Sequence, residues 1–135
     1  MYTHLFKDAQ KPYFLDLLIY AARSNKQLDA VQKLVINACC TEMGMPLCDY
    51  QAAHTLEEVL QSLRDSTTPQ ERRMMFTELM GVLIVDGEID EDEEGFVMQV
   101  EEAFGLTEAE AEGLLTESIA IMDAYNRLTS MIYKA

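Results

Sequence analysis

The stretch ELMGVLIVDGEIDEDEEGFVMQVEEAFGL, residues 78–106, decides the fold class. Its first apolar run ends at an Asp-Gly pair, and Asp90 then precedes Glu93 by three positions just before a second run. Gly105 follows the last apolar residue of that run. An Asp with a Glu three residues later is typical of a helix start, and a glycine after an apolar run is typical of a helix end. The stretch therefore predicts two helices joined by a tight turn.

The same pattern occurs earlier in the chain, in residues 17–45, which align with residues 78–106 after a shift of 61 positions. Both copies have an apolar run, an Asx residue at the turn, an apolar residue, a capping pair and a terminal glycine. The aligned pairs are Leu18 with Leu79, Asn25 with Asp86, Leu28 with Ile89, Asp29 with Asp90, Gln32 with Glu93, Val35 with Phe96, Met43 with Phe104, and Gly44 with Gly105. The sequence therefore predicts an internal helix-turn-helix pseudo-repeat.

Helical periodicity extends over most of the chain. Apolar residues recur every three or four positions in residues 14–22, 31–40, 74–85 and 96–104, and no segment keeps the alternation of a strand. Helix starts are marked by five capping pairs: Asp29 with Gln32, Thr55 with Glu58, Thr68 with Glu71, Asp90 with Glu93, and Thr107 with Glu110. One more helix precedes Asn25 and a last one ends near Tyr133. We predict an all-α fold, a compact bundle of about seven helices with short connections.

Length and composition indicate one domain, residues 1–135, because 135 residues with 49% hydrophobic content can bury a core without disulfides. The apolar runs are too short to cross a bilayer, and the first residues lack a signal-peptide profile, so we expect a cytoplasmic protein. Cys39, Cys40 and Cys48 are odd in number, which suits reduced thiols. Their spacing to His54 matches no zinc pattern.

Charge is the most informative total. The net charge is -14, and the segment from Met74 to Asn126 has no Lys or Arg but fifteen Asp and Glu residues. Such a field repels phosphate backbones and anionic lipids, so we expect neither nucleic acid binding nor direct membrane insertion. Cations and proteins, basic ones above all, remain as partners, and a homodimer stays open.

Seven carboxylates lie in residues 86–94 and allow two interpretations. Asp86, Glu88, Asp90 and Glu93 could supply hard oxygen ligands to calcium or magnesium, with water completing the shell. Alternatively, the acids are an Asx turn, a capping box and a solvated first helical turn at the positive end of the helix dipole. The segment does not fit the EF-hand pattern, because the first two ligand positions of that loop would be apolar.

The first copy argues for a function of this acidity. It carries Asn25, Lys26 and Gln32 where the second copy carries Asp86, Gly87 and Glu93, although the helices around the turn follow the same pattern. We infer that folding does not require the acid. No Ser-His-Asp or Cys-His set and no phosphate loop is visible, so we predict that the protein is not an enzyme and needs no cofactor other than a divalent cation.

The second copy resembles the signature of the TerB-like, tellurite-resistance-associated family. Asp86, Gly87, Ile89 and Glu93 match its motif, and the resemblance covers roughly residues 13–121. It implies a helical bundle with internal pseudo-symmetry that acts in stress and tellurite resistance as a binding module, with a divalent metal at the acidic turn. The first turn departs from the family pattern at Asn25, which weakens a two-site metal model.

Two functions follow as hypotheses. The first is a non-enzymatic, acidic protein-interaction module whose partner is a basic protein. The alternative is a stress-response protein that binds calcium or magnesium through the turn from Asp86 to Glu93.

Overall fold

The computed structural model describes residues 1–24, 28–85 and 87–134. Over these residues it is entirely helical, without a strand, which confirms the all-α prediction. A 3₁₀ turn at Thr3–Leu5 precedes six α-helices. They are α1 (Lys11–Arg23), α2 (Ala30–Met43), α3 (Leu56–Ser66), α4 (Pro69–Ile84), α5 (Glu91–Phe104) and α6 (Glu108–Ile132).

The predicted number of seven helices was wrong by one. The helix that starts after Thr107 and the helix predicted to end near Tyr133 are a single helix, α6, of 25 residues. Its sequence contains no proline, and the one glycine inside it, Gly113, costs only about 1 kcal/mol relative to alanine. The chain therefore has no reason to break the helix between these two ends.

All five predicted helix starts are confirmed. At each start the side chain of the cap residue accepts a hydrogen bond from the backbone N–H three positions later; the caps are Asp29, Thr55, Thr68, Asp90 and Thr107. The reciprocal bond, from the N–H of the cap to the side chain three residues on, is present at α2, α4 and α5. Such a cap is worth typically about 1 kcal/mol.

The two predicted glycine stops are confirmed as well. Gly44 and Gly105 have φ values of 72° and 65°, in the left-handed region that favours glycine. In both copies the next residue closes the helix end, since the N–H of Met45 donates to the Cys40 carbonyl and the N–H of Leu106 donates to the Glu101 carbonyl.

Helices α1 and α4 form the centre of the molecule. α1 packs against α2, α3 and α4, and α4 also packs against α2, α5 and α6. The largest fully buried side chains are Phe14 on α1 and Phe76 on α4, and each contributes roughly 1.5–3 kcal/mol by its removal from water. α6 adds one buried residue to this core, Ala111, and its contact with the core extends to Leu115.

The membrane prediction can be examined for the part of the chain that the structure describes. None of its helices combines the length and apolar character that a bilayer crossing requires.

Candidate functional site: the acidic turn and its two grooves

The acidic turn connects the end of α4 at Ile84 to the start of α5 at Glu91. The N–H of Gly87 donates to the Ile84 carbonyl (3.2 Å), and Gly87 has a positive φ of 130°, a conformation that side-chain-bearing residues rarely adopt. Ile89 is half-buried and packs against the core. An apolar side chain therefore anchors the turn to the core, while Glu88 and Asp90 are exposed.

Two of the four predicted ligands, Asp90 and Glu93, are brought together by the capping box of α5. The N–H of Glu93 donates to Asp90 Oδ1 (2.8 Å), and the N–H of Asp90 donates to Glu93 Oε1 (3.1 Å). The Glu93 side chain is only 2% exposed. Glu88 is exposed, while Asp86, the remaining predicted ligand, lies outside the described residues.

The described carboxylates do not form a metal site by themselves. Within residues 1–24, 28–85 and 87–134, no three His, Cys, Asp or Glu side chains come together in a way that could hold an ion. Asp90 and Glu93 use oxygens on backbone N–H groups instead. A metal site at this turn would thus need Asp86, and it stays a prediction.

The first turn of α5 carries the other acids of the segment, Glu91, Asp92 and Glu94, all exposed. Carboxylates at a helix N-terminus are stabilised by the positive end of the helix dipole, by about 0.3–1 kcal/mol each. Part of the acidity is therefore favourable for the helix itself.

A groove runs beside the turn, between the end of α4 and α6. This turn groove has a volume of about 620 Å³. Its floor is apolar, formed by Ile84, Ile89 and Ile119 among others, while Glu88 and Asp123 stand at its edge. An apolar floor with a carboxylate edge suits a ligand that presents both an apolar and a cationic group.

A second groove, the α5–α6 groove, lies on the other side of Ile89 and Leu115, which line both grooves. It has a volume of about 410 Å³, and its carboxylates are Glu94, Glu101 and Glu108. Burial, assisted by the nearby Glu108 carboxylate, raises the pKa of Glu101 above its ordinary value. A raised pKa means that the negative charge is held at a cost, which a nearby cation would lower.

One polar cluster was not predicted from the sequence. Asp16, on α1, is 4% exposed and accepts hydrogen bonds from the N–H groups of Ala53 and His54 (both 3.1 Å). The Nδ1 atom of His54 lies 2.9 Å from Asp16 Oδ2, and the Tyr13 ring packs over the imidazole at 4.6 Å between centroids. The only sequence signal was a single acid in the apolar run of residues 14–22. The cluster ties α1 to the segment before α3, which is a structural role.

The thiols lie away from the acidic turn, on and after α2. Burial raises the pKa of Cys39 to about 12, and burial together with the neighbouring Cys48 raises the pKa of Cys40 to about 11. Thiols with such pKa values are unreactive at neutral pH, because the thiolate is the nucleophile.

Comparison with known proteins agrees with this architecture. Residues 21–115 match the family described as "Tellurite resistance protein TerB". The chain belongs to this TerB family, since the match covers more than half of its length; it includes the second copy of the repeat and all but the first four residues of the first copy.

A solved structure shares the fold: the crystal structure of a tellurite resistance protein from Nostoc punctiforme PCC 73102. The TM-score is 0.71 over 96% of this chain and 84% of that chain, at 16% sequence identity. At that identity the likeness establishes the fold alone. A search of curated proteins gives no match.

Proposed function

We propose that the protein is a non-enzymatic protein-interaction module of the cytoplasm that binds a basic, partly apolar segment of a partner protein. The turn groove and the α5–α6 groove together are the docking surface. The observation that carries the proposal is their construction: two apolar floors that adjoin at Ile89 and Leu115, each bordered by carboxylates.

The electrostatics support a cationic partner. Glu101 and Glu108 repel each other at the α5–α6 groove, and no Lys or Arg stands between Met74 and Asn126 in the sequence to balance them. A Lys or Arg side chain placed between these carboxylates would lower that repulsion and accelerate encounter at low salt. Apolar contacts on the floor would then supply most of the affinity.

Peptide display on the immobilised protein tests the proposal without a known partner. We expect the selected peptides to be enriched in Lys or Arg together with apolar residues. Calorimetry then compares one selected peptide on the wild type and on the triple variant Glu94→Gln, Glu101→Gln, Glu108→Gln. We expect at least a tenfold loss of affinity, since each exposed charge pair contributes about 0.2–1 kcal/mol and partly buried ones more.

A matched control has the same net charge as this triple variant, which we call the groove variant, but it leaves the grooves intact. The variant Glu57→Gln, Asp65→Asn, Glu112→Gln also removes three exposed carboxylates, and none of them lines either groove. It should bind the peptide almost as the wild type does. An equal loss in both variants would mean that only the overall charge matters, and peptides without basic residues would contradict the proposal.

The second candidate function is divalent-metal binding at the acidic turn. It is favoured by Glu93, a buried carboxylate at a position where the first copy has a neutral amide, Gln32. Calorimetric titration with calcium, magnesium and manganese tests it on the wild type and on Asp86→Ala with Glu93→Ala. Heat that the double variant loses would support a metal site, and no heat at millimolar ion would leave the docking surface as the function.

The family name associates such proteins with tellurite resistance, and we extend that association to this chain as part of the proposal. The test is growth on tellurite of cells in which the groove variant or its charge-matched control replaces the wild type. Sensitivity in the groove variant alone is the expected result.

A further inference from the structure

The second half of α6 leaves the core with its apolar side chains exposed. Leu115 still packs on the core, and the TerB match also ends at residue 115. Seven of the thirteen large hydrophobic side chains exposed in the described residues follow it within α6 and its end. Exposed apolar residues are unremarkable when scattered singly, but a concentration of this kind marks an interaction surface.

Four of these side chains form one stripe: Ile121, Tyr125, Leu128 and Ile132, which are 50%, 67%, 56% and 65% exposed. Their spacing of four, three and four residues places them within about 60° on the helix surface, at 100° per residue. This is the spacing of a coiled-coil seam, in which apolar side chains recur every 3.5 residues on average.

The positions that flank the stripe carry no charge. They are Met122, Ala124, Thr129 and Met131. The two charged residues between positions 121 and 132 are Asp123 and Arg127. At 100° per residue, both fall on the side of the helix that faces away from the stripe. A chain with a net charge of -14 would resist association with itself, but here an identical surface can approach without bringing like charges together.

We propose that this stripe is a homodimer seam, on which α6 packs antiparallel against α6 of a second copy of the chain. The charge distribution along α6 selects the antiparallel direction. Its first half carries Glu108, Glu110, Glu112 and Glu117, whereas the only bases that follow Arg73 in the sequence, Arg127 and Lys134, lie at the other end. With a two-fold axis between Asn126 and Arg127, antiparallel pairing places Lys134 of each helix opposite Ile119 of the partner subunit, two positions from Glu117, and it keeps the two acidic bodies apart.

The register follows from filling the seam with apolar pairs. A two-fold axis between Asn126 and Arg127 places Ile132 of the partner subunit against Ile121, and Leu128 of the partner subunit against Tyr125. The two-fold axis generates each of these two pairs twice. The seam therefore has four layers of paired side chains, and all four are apolar.

The helical core provides a groove in which the end of the partner helix can bind. Ile121 and Tyr125 also line a largely apolar groove of about 270 Å³, which Ile84 and Gly81 of α4 close from the other side. Ile132 of the partner subunit would enter this groove. At Gly81 an added Cβ meets nothing within 4 Å, so the space is open to a side chain from either source.

The seam is short, about 17 Å from residue 121 to residue 132 at 1.5 Å per residue. We expect the area that the seam and the groove bury together to fall at the lower end of the roughly 1,200–2,000 Å² of stable interfaces. We therefore expect a dimer that dissociates in the micromolar range.

Sedimentation equilibrium of the whole chain from 1 μM to 1 mM tests the proposal. The wild type should show a monomer–dimer equilibrium, and Leu128→Glu should weaken it more than about tenfold by burying a charge in the seam. Ser130→Glu adds the same charge two residues away on the opposite side and should leave the dimer intact. A wild type that stays monomeric at 1 mM, or a dimer unaffected by Leu128→Glu, would overturn the seam.

A second variant separates docking from folding. Gly81→Leu fills the groove from within the same chain, so it should weaken the dimer while the monomer melts no lower, because leucine favours the helix over glycine by roughly 0.8 kcal/mol. Unchanged association in this variant would exclude the groove from the interface.

Disulfide trapping determines the direction of pairing. In a Cys48→Ser background, Ile121→Cys mixed with Ile132→Cys should form a mixed cross-linked dimer. Ile132→Cys alone should cross-link little. Efficient cross-linking of Ile132→Cys with itself would show parallel helices and overturn the antiparallel arrangement.

Discussion

The two copies of the repeat build the same capping box from different chemistry. In the first copy the N–H of Gln32 donates to Asp29 Oδ1 at 2.8 Å, and in the second the N–H of Glu93 donates to Asp90 Oδ1 at the same distance. Gln32 and Glu93 are 0% and 2% exposed. The first position holds an amide and the second a carboxylate. The comparison teaches that the box needs an acceptor oxygen three residues after the cap, and that it does not need a charge.

The largest expected difference between the copies concerns their aligned apolar residues. Phe96 is buried at 6% exposure, whereas its counterpart Val35 is half-buried. Phe96→Ala should cost about 3–5 kcal/mol of unfolding free energy, because it removes a large buried side chain and leaves a cavity. Val35→Ala should cost about 1 kcal/mol. Urea denaturation measures both, and equal losses would show that the copies contribute equally to the core.

Exchanging the amide of Gln32 and the carboxylate of Glu93 tests the comparison at the capping box itself. Gln32→Glu should lower the unfolding free energy by about 1–3 kcal/mol at pH 7, since it places a charge at a fully buried position. Glu93→Gln keeps the acceptor oxygen and removes a charge from a position that is 2% exposed, so it should not lower the unfolding free energy in EDTA. A large loss in Glu93→Gln without metal would mean that the charge itself stabilises the second copy.

The second helices of the two copies should also respond oppositely to pH. Burial pushes the pKa of Glu42 on α2 upward, but hydrogen bonds from the Met1 amino group, His4 and Thr3 outweigh it and hold the pKa at about 2, below its ordinary 4.5. This stabilisation is complete above pH 4.5 and is lost as the pH falls towards 2. Glu101 on α5 has a raised pKa, so its contribution is complete below the ordinary pKa and is lost as the pH rises through the folded pKa.

Unfolding free energies of Glu42→Gln and Glu101→Gln between pH 2 and pH 8 measure both effects. Glu42→Gln should be less stable than the wild type at pH 7, with a difference that shrinks towards pH 2. Glu101→Gln should be more stable at pH 7, with a difference that disappears in acid. The same sign for both variants at pH 7 would contradict the assignment.

The smallest expected effect concerns thiol reactivity, which differs between the first copy and the connector that follows it. Cys39 and Cys40 are buried, with pKa values raised to about 12 and 11, whereas Cys48 is partly exposed. A disulfide reagent at pH 8 should modify Cys48 quickly and the other two only under denaturing conditions. Cys48→Ser provides the control, and rapid modification of two or more thiols in the native wild type would contradict the burial of α2.

Local signals made most of the fold predictable. Each of the five caps, Pro69 at the first position of α4 and both glycine stops depend on residues within a few positions of each other, so the sequence displays them directly. The number of helices could not be read in the same way. The break before the last helix was assumed, and no residue between Thr107 and Tyr133 encodes one.

The site was less predictable because it depends on contacts between distant segments. Asp16 and His54 are 38 positions apart, and the sequence around each residue contains no local signal that predicts their pairing. The grooves likewise form where α6 crosses α4 and α5, so Glu101 and Glu108 become neighbours only in the folded chain. The capping role of Asp90 and Glu93 is local, and it was visible as one of the two alternatives for the acidic turn.

The anchoring of the connector between α2 and α3 has a consequence for how such a chain can evolve. One carboxylate, Asp16, satisfies the backbone at Ala53 and His54, and Arg23 holds the Tyr50 carbonyl at 2.9 Å. The connector is thus fixed at its far end by the first helix, independently of its length. An insertion between Pro46 and Leu47, which are both exposed, should not disturb the packed helices, and this makes the point the natural place for a grafted recognition element.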